Sequence, residues 1–147
     1  MRVLVIGASL AALAFGAAQA QDVAPARSGP TAPALGEGRA AYAQWCAPCH
    51  AAVPSLAGTM SLQAKYGGSV PAALEDRTDL SPALIGFFVR NGVAWMPPFR
   101  PTEISDAKLA QLSAYLTAPL ADRGAHAPLL AEEMALAAET SRTEVGQ

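Results

Sequence analysis

A stripe of apolar residues at helical spacing marks the segment from Ser105 to Thr117 as a helix. Ser105 is a suitable N-cap, and Asp106 favours the positive end of the helix dipole. Pro119 follows and stops the helix. The predicted buried stripe consists of Leu109, Leu112 and Leu116, with Tyr115 beside it.

The segment 37–45 is dense in alanine and also predicts a helix. Gly38 and Tyr42 lie four residues apart on the same face, which leaves a gap next to an aromatic ring. Glycine inside a helix costs about 1 kcal/mol relative to alanine, so it usually marks close contact with another backbone. The alternative is a fraying first turn, which the pattern alone favours because it identifies no partner helix.

A third helix is predicted from Ser81 to Asn91. Ser81 is an N-cap that precedes a proline at the first helical position, and Gly92 follows as a stop signal. The bulky apolar residues on one face, which we expect in the core, are Leu84, Phe87 and Phe88.

Proline and glycine separate these helices. Residues 95–101 contain three prolines and cannot be helical, so Met96 is expected in a stiff, extended loop. Residues 59–65 predict only a short helical turn, and residues 70–79 a loop with one turn of helix. The predicted elements are all helices, so the fold class is all-α, with one small domain over residues 37–119.

The two ends of the chain differ from this domain. Residues 1–20 have the cation, apolar run and small-x-small ending of a secretory signal peptide, with cleavage near Ala20. The alternative of a retained membrane anchor needs about 20 apolar residues, a longer run than this one. We therefore expect a periplasmic mature protein without stable membrane insertion. Residues 21–36 predict a flexible linker, and residues 120–147 a C-terminal tail that is a loose helix or disordered.

Composition changes the picture of the core. Much of the 52% hydrophobic content of this 147-residue chain is alanine, so large apolar side chains are few. A small domain of this kind is only marginally stable, and a buried cofactor would complete its core. The formal net charge of -2 gives no basic patch, which excludes a nucleic-acid partner.

Candidate chemistry is concentrated between Cys46 and His50. C-x-x-C followed directly by histidine is typical of haem attachment, in which two thiols add to haem vinyl groups and the histidine binds iron. A thioredoxin-like site would need flanking strands, and a zinc site would need a fourth ligand, for which the only other histidine is His126 in the tail. A disulfide between Cys46 and Cys49 leaves His50 unexplained. The motif therefore predicts one covalently attached haem c.

A second axial ligand must come from elsewhere in the chain. Met60, Met96, Met134 and His126 are the candidates, and Met96 is preferred because its proline loop holds it rigidly. His50 and Met96 would fill both axial positions, which predicts an electron carrier and not an enzyme. The alternatives are a haem enzyme or sensor with a labile distal ligand, and a thiol-disulfide oxidoreductase.

Residues from about Gly36 to Pro119 resemble a class I cytochrome c. Gly38 and Tyr42 match the first helix of that family, while Leu112 and Tyr115 match the last helix, which crosses it. The resemblance implies a small all-α fold in which these helices cross closely at Gly38, around one haem.

The resemblance also assigns roles to two loops. It implies that the backbone carbonyl of Pro54 accepts a hydrogen bond from the second ring nitrogen of His50, which would fix the tautomer. It places Met96 and Pro97 in the distal ligand loop.

A narrower similarity covers residues 89–109. This segment is similar to cytochrome subunits that pair with flavin dehydrogenases, such as that of p-cresol methylhydroxylase. It implies a redox partner protein, a flavin- or molybdenum-dependent dehydrogenase, whose electrons the cytochrome passes to the respiratory chain. Free-standing carriers and cytochrome partners of molybdenum dehydrogenases share this pattern, so the similarity leaves open a free carrier or a fixed subunit.

Overall fold

The computed structural model describes residues 27–129. Within this range the chain forms six α-helices and no β-strand, which confirms the predicted all-α class. The helices are α1 (Gly36–Trp45), α2 (Ala47–His50), α3 (Ala57–Tyr66), α4 (Pro82–Asn91), α5 (Asp106–Thr117) and α6 (Leu120–Arg123).

Helices α1 and α5 form the most extensive helix pair in the described chain. A Cβ atom at Gly38 would overlap the carbonyl oxygen of Gln111 and lie 2.7 Å from Cβ of Tyr115. Tyr42, Leu112 and Tyr115 are fully buried there, and the two tyrosine rings lie 6.0 Å apart. The glycine therefore permits a close helix crossing, as the resemblance implied, and does not mark a frayed turn.

Helix α4 has the predicted boundaries but a different buried face. The Ser81 hydroxyl accepts a hydrogen bond from the Leu84 backbone N–H at 3.2 Å. Ile85 and Val89 are buried, whereas Phe87 is 58% exposed. Of the residues predicted in the core, Leu84 and Phe87 are exposed and Phe88 is half-buried. The prediction failed there because it followed side-chain bulk. Packing against α5 selects the smaller residues instead.

Helix α3 is longer than the short turn predicted over residues 59–65. It has ten residues and ends at Tyr66, and the following Gly67 adopts the left-handed conformation with φ of 57°. Only Thr59 of this helix is buried. A mostly exposed helix shows little apolar periodicity, so the pattern underestimated its length. The single turn expected within residues 70–79 is a 3₁₀ helix at Leu74–Asp76.

The structure differs from expectation at both ends of the domain. Residues 27–36 and 120–129, expected in the linker and the tail, pack against the helices and against each other. The backbone N–H of Ala32 donates to the carbonyl of Asp122 at 2.8 Å, and Ala127 is only 4% exposed. Residues packed into the domain thus extend beyond 37–119 on both sides.

A buried arginine explains how the C-terminal part is held. Arg123 is 1% exposed, and its Nη1 donates to the carbonyls of Glu75 at 2.8 Å and Arg77 at 2.9 Å. Its Nε donates to the carbonyl of Ala118 at 2.8 Å. The Tyr115 hydroxyl donates to the buried Glu75 carboxylate from the other side. The bonds to Glu75 and Arg77 join residues at least 40 positions apart in the sequence, so no local pattern predicts them.

Several predictions lie outside the described residues. They are the signal peptide over residues 1–20 and its cleavage near Ala20, the first part of the linker, and the tail beyond residue 129. Among residues 27–129, no helix is both long and apolar enough to cross a membrane.

Candidate haem site

The Cys46 to His50 motif lies where α1 ends and the single turn of α2 begins. The carbonyl oxygen of Cys46 accepts hydrogen bonds from the backbone N–H groups of Cys49 at 3.1 Å and His50 at 2.8 Å. This turn brings the two thiols and the imidazole together on one short element. The two cysteines are free thiols and form no disulfide.

The two thiols differ in environment. Cys49 is exposed, whereas Cys46 is partly buried against the core. Burial, with smaller contributions from Cys49 and Glu75, raises the pKa of the Cys46 thiol to about 12. The free Cys46 thiol of the folded chain is therefore protonated near neutral pH.

His50 is partly buried, and hydrogen bonds hold its backbone. The Tyr42 hydroxyl donates to the His50 carbonyl oxygen at 2.8 Å. In the following residues, the Thr59 hydroxyl donates to the carbonyl of Ala51 at 2.7 Å. Burial lowers the pKa of the His50 imidazole, which favours the neutral form that binds metal ions.

The hydrogen bond predicted between His50 and Pro54 is not formed. Nδ1 of His50 is buried and has no hydrogen-bond partner among the described residues. Pro54 is exposed, in a turn closed by a 3.1 Å hydrogen bond from the Leu56 N–H to the Val53 carbonyl. The backbone at Gly58 lies against the imidazole instead of the Pro54 carbonyl.

Met96 lies in a tight turn directly after α4. Val93 and Met96 exchange two backbone hydrogen bonds of 3.0 and 2.9 Å, and Ala94 between them has φ of 50°. Gly92 has φ of 68°, and a Cβ atom there would lie 2.5 Å from the Met96 carbonyl oxygen. Backbone hydrogen bonds therefore hold the chain at Met96, and the positive φ values of Gly92 and Ala94 reverse the chain just before the loop of residues 95–101.

One aromatic contact connects the two parts of the candidate site, the turn of Cys46 to His50 and the turn of Met96. The rings of Trp45, before Cys46, and Phe99, after Met96, lie 5.9 Å apart in an edge-to-face arrangement. The backbone N–H of Phe99 donates to the Val89 carbonyl at 2.8 Å, which fixes the loop to α4.

The region between the turn of Cys46 to His50 and the turn of Met96 has the residues that a haem requires. Helices α2 and α3 pack on each other but make no extensive contact with α4, which leads into the Met96 turn. The His50 imidazole, the Met96 thioether and the two free thiols form the donor set of a haem c. Apolar side chains remain exposed on the elements around this region: Val53, Met60, Leu84, Phe87, Val93 and Trp95.

The other candidate ligands fit less well. Nε2 of His126 pairs with the Asp76 carboxylate at 2.8 Å, and Met60 is 56% exposed on α3. Met134 lies outside the described residues. Within residues 27–129, no group of three or more histidine, cysteine or acidic side chains is placed so that it could hold a metal ion.

Comparison with known proteins identifies the family. The family model described as cytochrome c oxidase, cbb3-type, subunit III matches residues 33–116, more than half of the chain. The chain belongs to this family. It is a c-type cytochrome, and its domain is of the kind that binds haem and carries electrons. The matched range includes Cys46, Cys49, His50 and Met96. No curated protein and no solved structure matched the chain.

Proposed function

We propose that this protein is a periplasmic cytochrome that carries single electrons on one haem c. Cys46 and Cys49 hold the haem through thioether bonds, and His50 and Met96 are the axial ligands of its iron. The observation that carries this proposal is the single helical turn that presents both free thiols and the imidazole within the matched domain.

Met96 is the distal ligand best supported by the fold. A ligand on the opposite face of the haem must come from a different part of the structure than His50. Met60 lies on α3, which packs against the helix of His50, whereas Met96 follows α4. The backbone bonds between Val93 and Met96 fix the part of the chain that carries the thioether, as a stable axial ligand requires.

This ligation suits electron transfer. The haem supplies one-electron chemistry, and with both axial positions filled by the protein no site remains for oxygen or substrate. A methionine ligand favours the ferrous state and so raises the reduction potential. The hydrogen bonds to the backbone carbonyls of His50 and Ala51 limit rearrangement between oxidation states.

The signal-peptide pattern supports export, because it directs the chain to a compartment outside the cytoplasm. The partner is a redox protein, either a flavin- or a molybdenum-dependent dehydrogenase, which reduces the cytochrome. The similarity of residues 89–109 to cytochrome subunits of flavin dehydrogenases such as p-cresol methylhydroxylase supports this donor. The family description names an oxidase subunit, which supports delivery of electrons to the respiratory chain.

The absorption spectrum of the exported protein tests the function. We expect a Soret band, a low-spin oxidised spectrum and a methionine-to-iron charge-transfer band. A high-spin spectrum would support a haem enzyme or sensor instead, and a protein without a Soret band would support a thiol-disulfide oxidoreductase. Mass spectrometry of the same sample should give one haem per chain and a mature N-terminus near Gln21.

A second experiment tests the partner. The cytochrome is purified from its native source under mild conditions, and the accompanying proteins are examined for flavin and molybdenum. A bound dehydrogenase that reduces the haem when given its substrate would support the proposed donor. If reduction of the haem instead needs a protein without either cofactor, the proposed donor is wrong.

A further inference from the structure

We propose that Gly58 positions the His50 imidazole, and that the backbone of α3 thereby sets the ring orientation and the reduction potential of the haem. This inference rests on the proposed function, because it takes His50 as an axial ligand.

The contact between Gly58 and His50 leaves no room for a side chain. A Cβ atom at Gly58 would lie 2.5 Å from Cε1 and 2.6 Å from Nδ1 of His50, and 2.7 Å from the carbonyl oxygen of Cys49. Cβ atoms in proteins essentially never approach other atoms within 3.0 Å. The glycine backbone therefore lies directly against the edge of the ring that carries Nδ1.

The contact between Gly58 and His50 fixes the plane of the imidazole ring, which a hydrogen bond usually does. A metal-ligating histidine almost always donates its second N–H to an oxygen, which fixes the plane of the ring. In this protein Nδ1 of His50 is buried without such a partner. Rotation of a histidine ring about χ2 is only weakly restricted by its own torsional energy. The neighbouring backbone must therefore limit that rotation by steric contact.

The helix that carries Gly58 is itself fixed to the ligand loop. Thr59 is 5% exposed, and its hydroxyl donates to the carbonyl of Ala51, one residue beyond His50. On the other side, the Tyr42 hydroxyl donates to the carbonyl of His50. Both the ring and the surface it contacts are therefore held in place, so a methyl group at Gly58 cannot be accommodated by moving α3 alone.

The test compares Gly58→Ala with Gly86→Ala as exported proteins with haem attached. Gly86 is a helical glycine in α4, and a Cβ atom there would have no neighbour within 4 Å. Electron paramagnetic resonance of the oxidised haem reports the orientation of the axial imidazole, and potentiometry reports its donation to iron. We expect shifted g values and a raised potential in Gly58→Ala only, because a displaced imidazole is a weaker donor.

Unchanged g values and potential in Gly58→Ala would overturn the proposal, even if the variant were less stable. If Gly58→Ala does not accumulate, Thr59→Val gives the same information, since it releases α3 without adding bulk at the ring. A broadened resonance in Thr59→Val supports the proposal, and a spectrum identical to that of the wild type contradicts it. A wild-type spectrum without a low-spin histidine and methionine pair refutes the proposed function, and this inference with it.

Discussion

The α1–α5 crossing and the side that carries His50 and Met96 differ in how completely the chain buries its own apolar groups. At the crossing, Tyr42, Leu112 and Tyr115 are fully buried. On the ligand side, Trp95 is 97% exposed and Phe87 is 58% exposed. Both regions belong to one small domain, so the contrast does not reflect separate folding units.

The difference indicates that the crossing is closed by the chain's own side chains, whereas the ligand side is completed by the cofactor. The crossing is closed by contact between two helices, and Gly38 permits that contact. The ligand side is held by backbone bonds within short turns, with little contact between α3 and α4. We infer that the haem serves as the second half of the core, in keeping with the few large apolar residues of the chain.

The largest expected effect comes from removing both thioether bonds. The double variant Cys46→Ala, Cys49→Ala should contain no covalent haem and should lose much of its helical circular dichroism, because the ligand side loses its core. The single variant Cys49→Ala is the control, since it keeps the buried Cys46 thioether. A double variant that lacks haem but unfolds at the wild-type urea concentration would show that the ligand side does not depend on the cofactor.

Closing the space at Gly38 should have the next largest effect. Gly38→Ala places a methyl group against Gln111 and Tyr115, and overpacking of this kind costs about 1–3 kcal/mol. Gly36→Ala in the same helix is the control, because a Cβ atom there has no neighbour within 4 Å. Urea unfolding of the two holoproteins gives the comparison. Equal stability of both variants would be incompatible with the close crossing.

Removing the Tyr115 hydroxyl tests the polar side of the crossing. Tyr115→Phe deprives the fully buried Glu75 carboxylate of a hydrogen-bond donor, which should cost about 1–3 kcal/mol of unfolding free energy. Tyr66→Phe removes the hydroxyl of a more exposed tyrosine and should change stability little. If the two variants unfold at the same urea concentration, Glu75 does not need this donor.

The smallest expected effect is a loss of stability in alkaline solution. Burial raises the pKa values of Tyr42 and Tyr115 above the ordinary 10.0. Unfolded tyrosines release their protons near pH 10 while the folded ones keep them, so the contribution is complete below pH 10 and is lost as the pH rises. Urea midpoints measured by far-ultraviolet circular dichroism should fall above pH 10, less steeply in Tyr115→Phe. A flat profile would contradict the buried, neutral tyrosines.

The sequence predicted those parts of the fold that depend on local signals. The N-caps at Ser81 and Ser105 gave the starts of α4 and α5, and the resemblance to class I cytochromes gave the Gly38 crossing. The buried face of α4 was wrong because it depends on the partner helix.

Other features needed the folded chain. Arg123 bonds to residues more than 40 positions away in the sequence, and the contact between Gly58 and His50 depends on how α3 packs on α2, so no local spacing predicts either. The Pro54 hydrogen bond was wrong because a resemblance assigns a role without fixing the orientation of a turn. The assignment of Met96 as the distal ligand stays a prediction.

Proton NMR of the reduced holoprotein, with ¹³C-labelled methionine methyl groups, tests this assignment most directly. The ring current of the haem shifts the methyl group of an axial methionine far upfield, and the account predicts one such signal, lost in Met96→Leu and retained in Met60→Leu. An upfield methyl signal that survives Met96→Leu, or the absence of any such signal in the wild type, would contradict ligation of the haem by His50 and Met96.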